Sequence, residues 1–314
     1  MTLAIGVDIG GTKVAAGVVD DDGNVLARAR RRTPSRDPEH LVDVVVEIVR
    51  QLRSEHDATA IGVGAAGYID ADRSTVLFSP NLPAWRNTPL RAEITERLGT
   101  DVVIENDANA AAWGEFRFGA GEQQPDVVVV TVGTGIGCGL VIGGRLYRGH
   151  FGIGGEPGHM RVVPGGRQCG CGNLGCWEQY ASGTALVRAA REVATERRDD
   201  ARRLLQMAGD VDGIDGTVVM RAAQEGDPAA LDCFDEIGRW LGQGLADIAA
   251  LLDPGRFVVG GGVADAGELL LKPARDTFAV SLTGRGYRPV ADVVPAKLGA
   301  DAGVIGAADL ARSG

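Results

Sequence analysis

The chain has only five cysteines and four histidines in 314 residues, too few for a disulfide scaffold. Its opening, MTLAIGVDIGG, lacks a charged leading segment, and Gly6 and Asp8 interrupt the apolar run. Neither a signal peptide nor a membrane span is expected there, and the expected compartment is the reducing cytoplasm. Lys and Arg are outnumbered by Asp and Glu, 32 to 42, for a formal net charge of −10. That balance opposes a nucleic-acid surface, because phosphate backbones are held by clustered cations. The densest basic run, RARRRTP from Arg28, reads as a solvated face. No low-complexity linker separates the two halves, so the boundary expected near residue 108 is a hinge rather than a tether.

Apolar residues at 45% and charged residues at 24% are ordinary globular usage, and 47 glycines point to many tight turns and close backbone approaches. The length suits two domains. Residues 2–32 read as three strands split by GG and DDGN turns. Leu41, Val42, Val45, Ile48, Val49 and Leu52 recur at helical spacing. A short buried strand running into a glycine loop follows at 58–67 and another strand over DVVIEND, with helices near 88–98 and after residue 107. This order predicts an α/β layer with a mixed sheet. The segment 126–149 repeats the opening pattern at an offset of 122, placing Gly133 and Thr134 on Gly11 and Thr12, which an internal duplication explains. A helix starts at a Ser182 cap and runs on over 182–206, a long core helix covers 230–253, and DAGVIGAADLAR closes the chain as a helix.

DIGGTK, residues 8–13, places a glycine pair between strands, where backbone amides approach phosphate oxygens unobstructed and Thr12 and Lys13 add a hydroxyl and a cation. Asp8 is positioned to hold Mg²⁺ through water. The spacing is not that of a Walker loop, and a strand follows rather than a helix. A second glycine loop, GTGIGCG, lies at 133–139, and GGGV at 260–263 opens after a strand where a flat adenine ring would fit. END, residues 105–107, closes a strand at a helix start. A carboxylate there serves either as general base to a hydroxyl or as helix cap, and by residue type alone the cap reading of Asp107 or Asn106 leads.

Three of the five cysteines fall within eight residues. His159, Cys169, Cys171 and Cys176 form a Cys₃His set suited to tetrahedral Zn²⁺, with all four positions filled by protein and therefore structural. A disulfide and unliganded buried thiols are the competing readings. Cys138 and Cys233 read as core residues. Glu156 and Glu178 flank the knuckle, and carboxylates with amides such as Asn81 and Asn106 are what a polyhydroxylated substrate needs.

DIGGTK, ENDANAA, GTGIGCGL, EPGH and CGCGNLGCWE, in this order, resemble the ROK family of sugar kinases and repressors across essentially the whole chain. The resemblance implies two actin-like (ribonuclease H-like) α/β domains with mixed sheets closing over a cleft: residues 1–107 plus 302–314, and 108–301 with the zinc knuckle. It implies transfer of the γ-phosphoryl group of ATP to the 6-hydroxyl of a hexose, glucose first, with Mg²⁺ and a structural Zn²⁺. By motif match, Asp8, Gly10, Gly11, Thr12, Lys13, Gly133, Thr134, Gly135 and Gly261 fall on nucleotide positions. Asp107 falls on the catalytic base. Gly67, Asn81, Asn106, Asp107, Glu156, His159 and Glu178 fall on the sugar site, and His159, Cys169, Cys171 and Cys176 on the zinc ligands. A homodimer or homotetramer is implied, with no nucleic-acid or membrane partner. The N-terminal helix-turn-helix of the family's repressors is not expected, since DIGGTK begins at residue 8. Alternative acceptors are N-acetylmannosamine, N-acetylglucosamine and fructose, and the rival from another class is a sugar-sensing regulator. Polyphosphate as donor would favour a long basic groove that the sequence does not suggest.

Overall fold

In the computed structural model, residues 2–79, 82 and 84–312 are described. The opening meander forms as β1 (Leu3–Ile9), β2 (Lys13–Val19) and β3 (Val25–Arg32). Helix α1 (Pro38–Glu55) follows, started by Asp37, whose carboxylate accepts from the His40 N–H, and by Pro38 in the first turn. Then come β4 (Ala58–Ala65), three short strands β5 (Tyr68–Ile69), β6 (Val76–Phe78) and β7 (Arg86–Thr88), helix α2 (Leu90–Leu98), β8 (Val103–Asn106) and α3 (Asp107–Phe118). The small sheet β5-β6-β7 is absent from the sequence expectation. Two- and three-residue strands carry too little alternation to be read from pattern.

A second meander, β9 (Val127–Val132), β10 (Ile136–Ile142) and β11 (Arg145–Tyr147), precedes the cysteine segment. Helices α4 (Glu178–Ala181), α5 (Gly183–Glu196), α6 (Arg202–Ala208), α7 (Gly216–Gln224) and α8 (Pro228–Leu252) follow. The helix expected to run on from Ser182 is broken after Glu196 and resumes as α6. The chain ends with β12 (Arg256–Gly260), α9 (Glu268–Ser281), β13 (Asp292–Pro295) and α10 (Ala302–Arg312). No helix among the described residues is long and apolar enough to cross a membrane.

The two five-stranded sheets run in the same order, β3-β2-β1-β4-β8 and β11-β10-β9-β12-β13. In the first, β2 pairs antiparallel with β1 and β3, while β1–β4 and β4–β8 are parallel, the mixed sheet that the element order predicts. The chain divides into two compact units, Met1–Val129 with Cys138–Gly155 and Ala296–Gly314, and Val130–Gly137 with Glu156–Pro295. The boundary expected near residue 108 falls at the start of α3, inside the first unit.

One face of the first sheet is covered by α1, whose Leu41, Val45, Ile48, Val49 and Leu52 pack with Ile5, Val7, Val14 and Ile61 in one buried cluster. The other face receives α10, and here the packing is of backbone on backbone. A Cβ built on Gly6 would sit 1.8 Å from the Val304 carbonyl oxygen, and one on Gly306 would sit 1.7 Å from that of Ala110. No side chain fits at either position.

Gly306→Ala therefore forces α10 off α3 and is expected to lower stability by on the order of 3 kcal/mol. The companion Gly216→Ala, at the start of α7, would meet only Val187 at 4.0 Å and is expected to be neutral or to stabilise by up to about 1 kcal/mol. Urea unfolding of both variants checks the contrast.

Candidate active site and metal centre

The glycine turn between β1 and β2 is closed by a hydrogen bond from the Gly10 N–H to the Lys13 carbonyl, 3.0 Å. Thr33, at the end of β3, buttresses it: its hydroxyl donates to the Gly10 carbonyl at 2.8 Å and its N–H to the Thr12 carbonyl at 3.1 Å. Thr33 was not singled out in the sequence, because nothing local marks it. The turn thus presents Gly11, Thr12 and Lys13 beside Asp8, as expected. Burial, and next the charge of Asp107, push the Asp8 carboxyl up to about 7 against the opposing pull of Lys13. Its carboxyl carbon lies 3.2 Å from where a Cβ on Gly303 would stand, next to the start of α10.

At the end of β8 the cap question resolves in favour of Asn106. Its side-chain oxygen accepts from the Asn109 N–H at 2.9 Å, while its amide nitrogen donates to the Gly67 carbonyl at 3.0 Å and to Asp107 Oδ1 at 3.2 Å. Gly67, Asn106 and Asp107 are brought together by this one amide. Gly67 has φ 135°, and a Cβ there would lie 2.6 Å from the Phe78 carbonyl oxygen. Relieved of capping, Asp107 occupies the first helical position of α3, in surroundings dense enough that burial holds its carboxyl above the usual range despite hydrogen bonds that oppose the shift. Asn81 lies outside the described residues.

In the second unit, the loop at Gly133–Gly135 is tied to the N-terminus of α5. The Gly183 N–H donates to the Gly133 carbonyl at 2.7 Å and the Thr184 hydroxyl to the Thr134 carbonyl at 2.7 Å, with Ser182 capping the helix as expected. Gly261, at φ 87°, passes so close to the strand end that a Cβ would stand 2.5 Å from the Val132 carbonyl oxygen. The three glycine segments of the nucleotide expectation are therefore well-braced turns, with Gly133, Thr134, Gly135 and Gly261 near the ends of β9 and β12.

The cysteine segment forms a knuckle bridged at Arg161–Cys176 and Gln168–Leu174. The ligand atoms of His159, Cys169, Cys171 and Cys176 all lie within 4.8 Å of one another. Cys169 Sγ is 3.6 Å from His159 Nδ1, and Cys171 Sγ is 3.6 Å from Cys176 Sγ. Those separations rule out a disulfide, whose sulfurs bond at about 2.05 Å. They match the edge, about 3.7 Å, of a tetrahedron with donors about 2.3 Å from its centre. The donor set fits one Zn²⁺ with no position left open. Burial pushes the Cys169 thiol up; Cys171, though burial acts on it too, is held below the usual range by donors from the Asn173 backbone, Cys169 and Cys176.

His159 turns Nδ1 to the sulfurs and Nε2 toward Glu156, 4.0 Å from Oε2. Glu178 begins α4 directly after the knuckle; its Oε1 accepts from Cys169 Sγ at 3.0 Å, and its Oε2 lies 2.5 Å from where a Cβ on Gly135 would be. One carboxylate thereby joins the knuckle to the glycine loop. Trp177, unremarked in the sequence, anchors the whole: its ring is fully buried over Gly244, and Nε1 donates to the Trp240 carbonyl at 2.7 Å.

Known proteins resemble this chain over nearly its whole length. The family profile described as ROK family matches residues 4–313. A glucokinase of Streptomyces coelicolor is 52% identical over 99% of this chain and 98% of its own length. A glucokinase of Thermotoga maritima is 37% identical over 98% and 96%. The crystal structure of a ROK family glucokinase from Streptomyces griseus in complex with glucose and AMPPNP superposes with a TM-score of 0.92, at 54% identity, covering 99% of this chain and all of that one. The fold is that of the ROK sugar kinases, and the chain belongs to the ROK family.

Proposed function

We propose that this chain is an ATP-dependent glucokinase that phosphorylates the 6-hydroxyl of glucose, with Asp107 as general base. The observation that carries the assignment to Asp107 is the division of labour at the start of α3. Asn106 takes the cap and orients Asp107 through Oδ1, so the neighbouring carboxylate is left for a proton. The names of the relatives at 52% and 37% identity, and the glucose and nucleotide analogue bound by the Streptomyces griseus protein, support sugar and donor.

The sugar oxygen O6 attacks the γ-phosphorus as the bond from that phosphorus to the bridging oxygen breaks, and ADP leaves. Asp107 aligns the hydroxyl and accepts its proton. The amides of Gly11 and Gly135, with Thr12, Lys13 and Thr134, hold the phosphates; Gly10 and Gly133 spend their own N–H groups closing the two turns, and Gly261 leaves room for adenosine. Bound Mg²⁺, held through water by Asp8, would neutralise phosphate charge. Glu156, Glu178, Gly67, Asn81, Asn106 and the Nε2 side of His159 take the sugar hydroxyls. Zinc held by His159, Cys169, Cys171 and Cys176 would be structural, fixing the ring of His159 so that its second nitrogen faces the sugar.

Three outcomes are expected. Asp107→Asn lowers kcat by about 10²- to 10⁴-fold while glucose affinity measured by isothermal titration stays within a few-fold; lost glucose binding would make Asp107 a binding residue. Because burial raises the Asp107 carboxyl, the base is protonated, and kcat/KM falls, at a pH above the ordinary carboxylate range near 4. A pH–rate profile with its acid limb at or below pH 4 would contradict that role. Elemental analysis of the purified protein gives close to one zinc per chain, and Cys171→Ser lowers zinc content and sugar affinity together. Unchanged sugar affinity in zinc-free protein would sever knuckle from pocket. Turnover measured with glucose, mannose, fructose, N-acetylglucosamine and N-acetylmannosamine tests the acceptor.

A further inference from the structure

Glu105 immediately precedes the residues of the catalytic proposal, yet neither its type nor its place assigns it a task there. Its side chain is 3% exposed, and a lone carboxylate so buried would be strongly disfavoured. Its two oxygens are divided between two parts of the chain. Oε1 accepts from the Asn106 N–H and from Asn109 Nδ2, both at 3.1 Å, which belong to the cap and first turn of α3. Oε2 accepts from Arg148 Nε at 2.7 Å and Nη2 at 2.6 Å. Arg148 is itself only 26% exposed.

Arg148 stands at the mouth of a loop, residues 149–155, that contains no helix or strand. Gly149, Gly152 and Gly155 there have φ of 75°, 87° and 93°, backbone that glycine enters at little cost and leaves as readily. The Arg148 carbonyl closes the loop by accepting from the Gly154 N–H at 2.8 Å. The loop is laid on β5, where a Cβ on Gly152 would stand 2.4 Å from the Ile69 carbonyl oxygen. The residue that follows it is Glu156.

We propose that Glu105 and Arg148 are positioning residues for phosphoryl transfer: one buried carboxylate locks the first turn of α3, which carries Asp107, to the glycine loop that leads into Glu156. A buried ion pair contributes little net stability over apolar residues of the same volume, but removing one partner leaves the other charge uncompensated. Its effect is to hold two segments in one mutual arrangement. Misplacing a base by about 1 Å costs up to roughly 100-fold in rate. The inference rests on Asp107 as the base, although the coupling of the two segments can be read without turnover.

The test combines steady-state kinetics with amide hydrogen exchange on full-length Glu105→Gln, Arg148→Met, Arg148→Lys and the Glu105→Gln/Arg148→Met double variant. Each of Glu105→Gln and Arg148→Met is expected to lower kcat by about 10- to 100-fold with the KM for ATP within about twofold. The double variant is expected to be no worse than the poorer single one, because coupled losses do not add. Arg148→Lys, which keeps the charge without the two-point grip, should recover part of the kcat lost in Arg148→Met. Arg148→Met should speed exchange at residues 106–109, and Glu105→Gln at 149–154. Additive losses, exchange changes confined to the substituted segment, or a lowered melting temperature with kcat per folded molecule unchanged would each overturn the proposal. Absence of kinase turnover in the unsubstituted chain would instead remove the glucokinase reading, and hydrogen exchange would still decide the coupling.

Discussion

Helix α10 meets β1, β4 and α3 at a separation that only glycine permits. Cβ atoms on Gly6, Gly62, Gly114 and Gly306 would fall 1.8, 1.9, 2.5 and 1.7 Å from backbone oxygens across the contact. Such proximity aligns many weakly attractive atom pairs and leaves no slack for the helices to shift. Two carboxylates that the proposal uses in the first unit, Asp8 and Asp107, lie on elements that this contact holds. Asp8 ends the strand that α10 covers, and Asp107 begins the helix that α10 grips. The placement of those two carboxylates is thus set by a C-terminal segment nearly two hundred residues from the nearer of them.

Buried acids complete what close packing begins. Asp309 in α10 accepts from Trp113 Nε1 and Arg117 Nη1, both at 2.8 Å, joining the two helices through charge as well as shape. Glu115, between Trp113 and Arg117 on α3, accepts from the backbone N–H groups of Ala120, Lys297 and Leu298, so the chain leading into α10 is held by a carboxylate. Each acid would be costly alone and is tolerated because its oxygens are satisfied. What these groups add is a unique arrangement more than net stability.

The second unit solves a different problem. Between Met160 and Trp177 its knuckle has no helix or strand, only two isolated bridges and turn hydrogen bonds, and glycines at 165, 172 and 175 take positive φ. A cluster of four soft donors gathers that irregular chain, and buried Trp177 ties it to α8. Because Glu178 follows directly and reaches both the cluster and the glycine loop at 135, order in the knuckle becomes order in the carboxylate and the turn to which the proposal gives sugar and phosphate.

Much was legible in the residues because it depends on local pattern. The helical spacing in α1 and α8, the alternation of the opening meander, the Ser182 cap and the Cys₃His set are all properties of neighbours in sequence, and the structure forms each of them. The break between α5 and α6 and the strands β5 to β7 were not legible, since such short segments follow their surroundings rather than their own propensity. At END, residue type allowed either Asn106 or Asp107 to cap α3. The structure gives the cap to Asn106, whose amide is oriented by the Gly67 carbonyl from the bend between β4 and β5, and so leaves Asp107 for the role proposed above. By itself the sequence determined the family, the sheet order's building blocks and the identity of the donors. The tertiary structure alone decided the partners of Glu105, Asp309, Glu115 and Thr33, because a buried polar group is defined by which distant atoms satisfy it, and no local pattern records that.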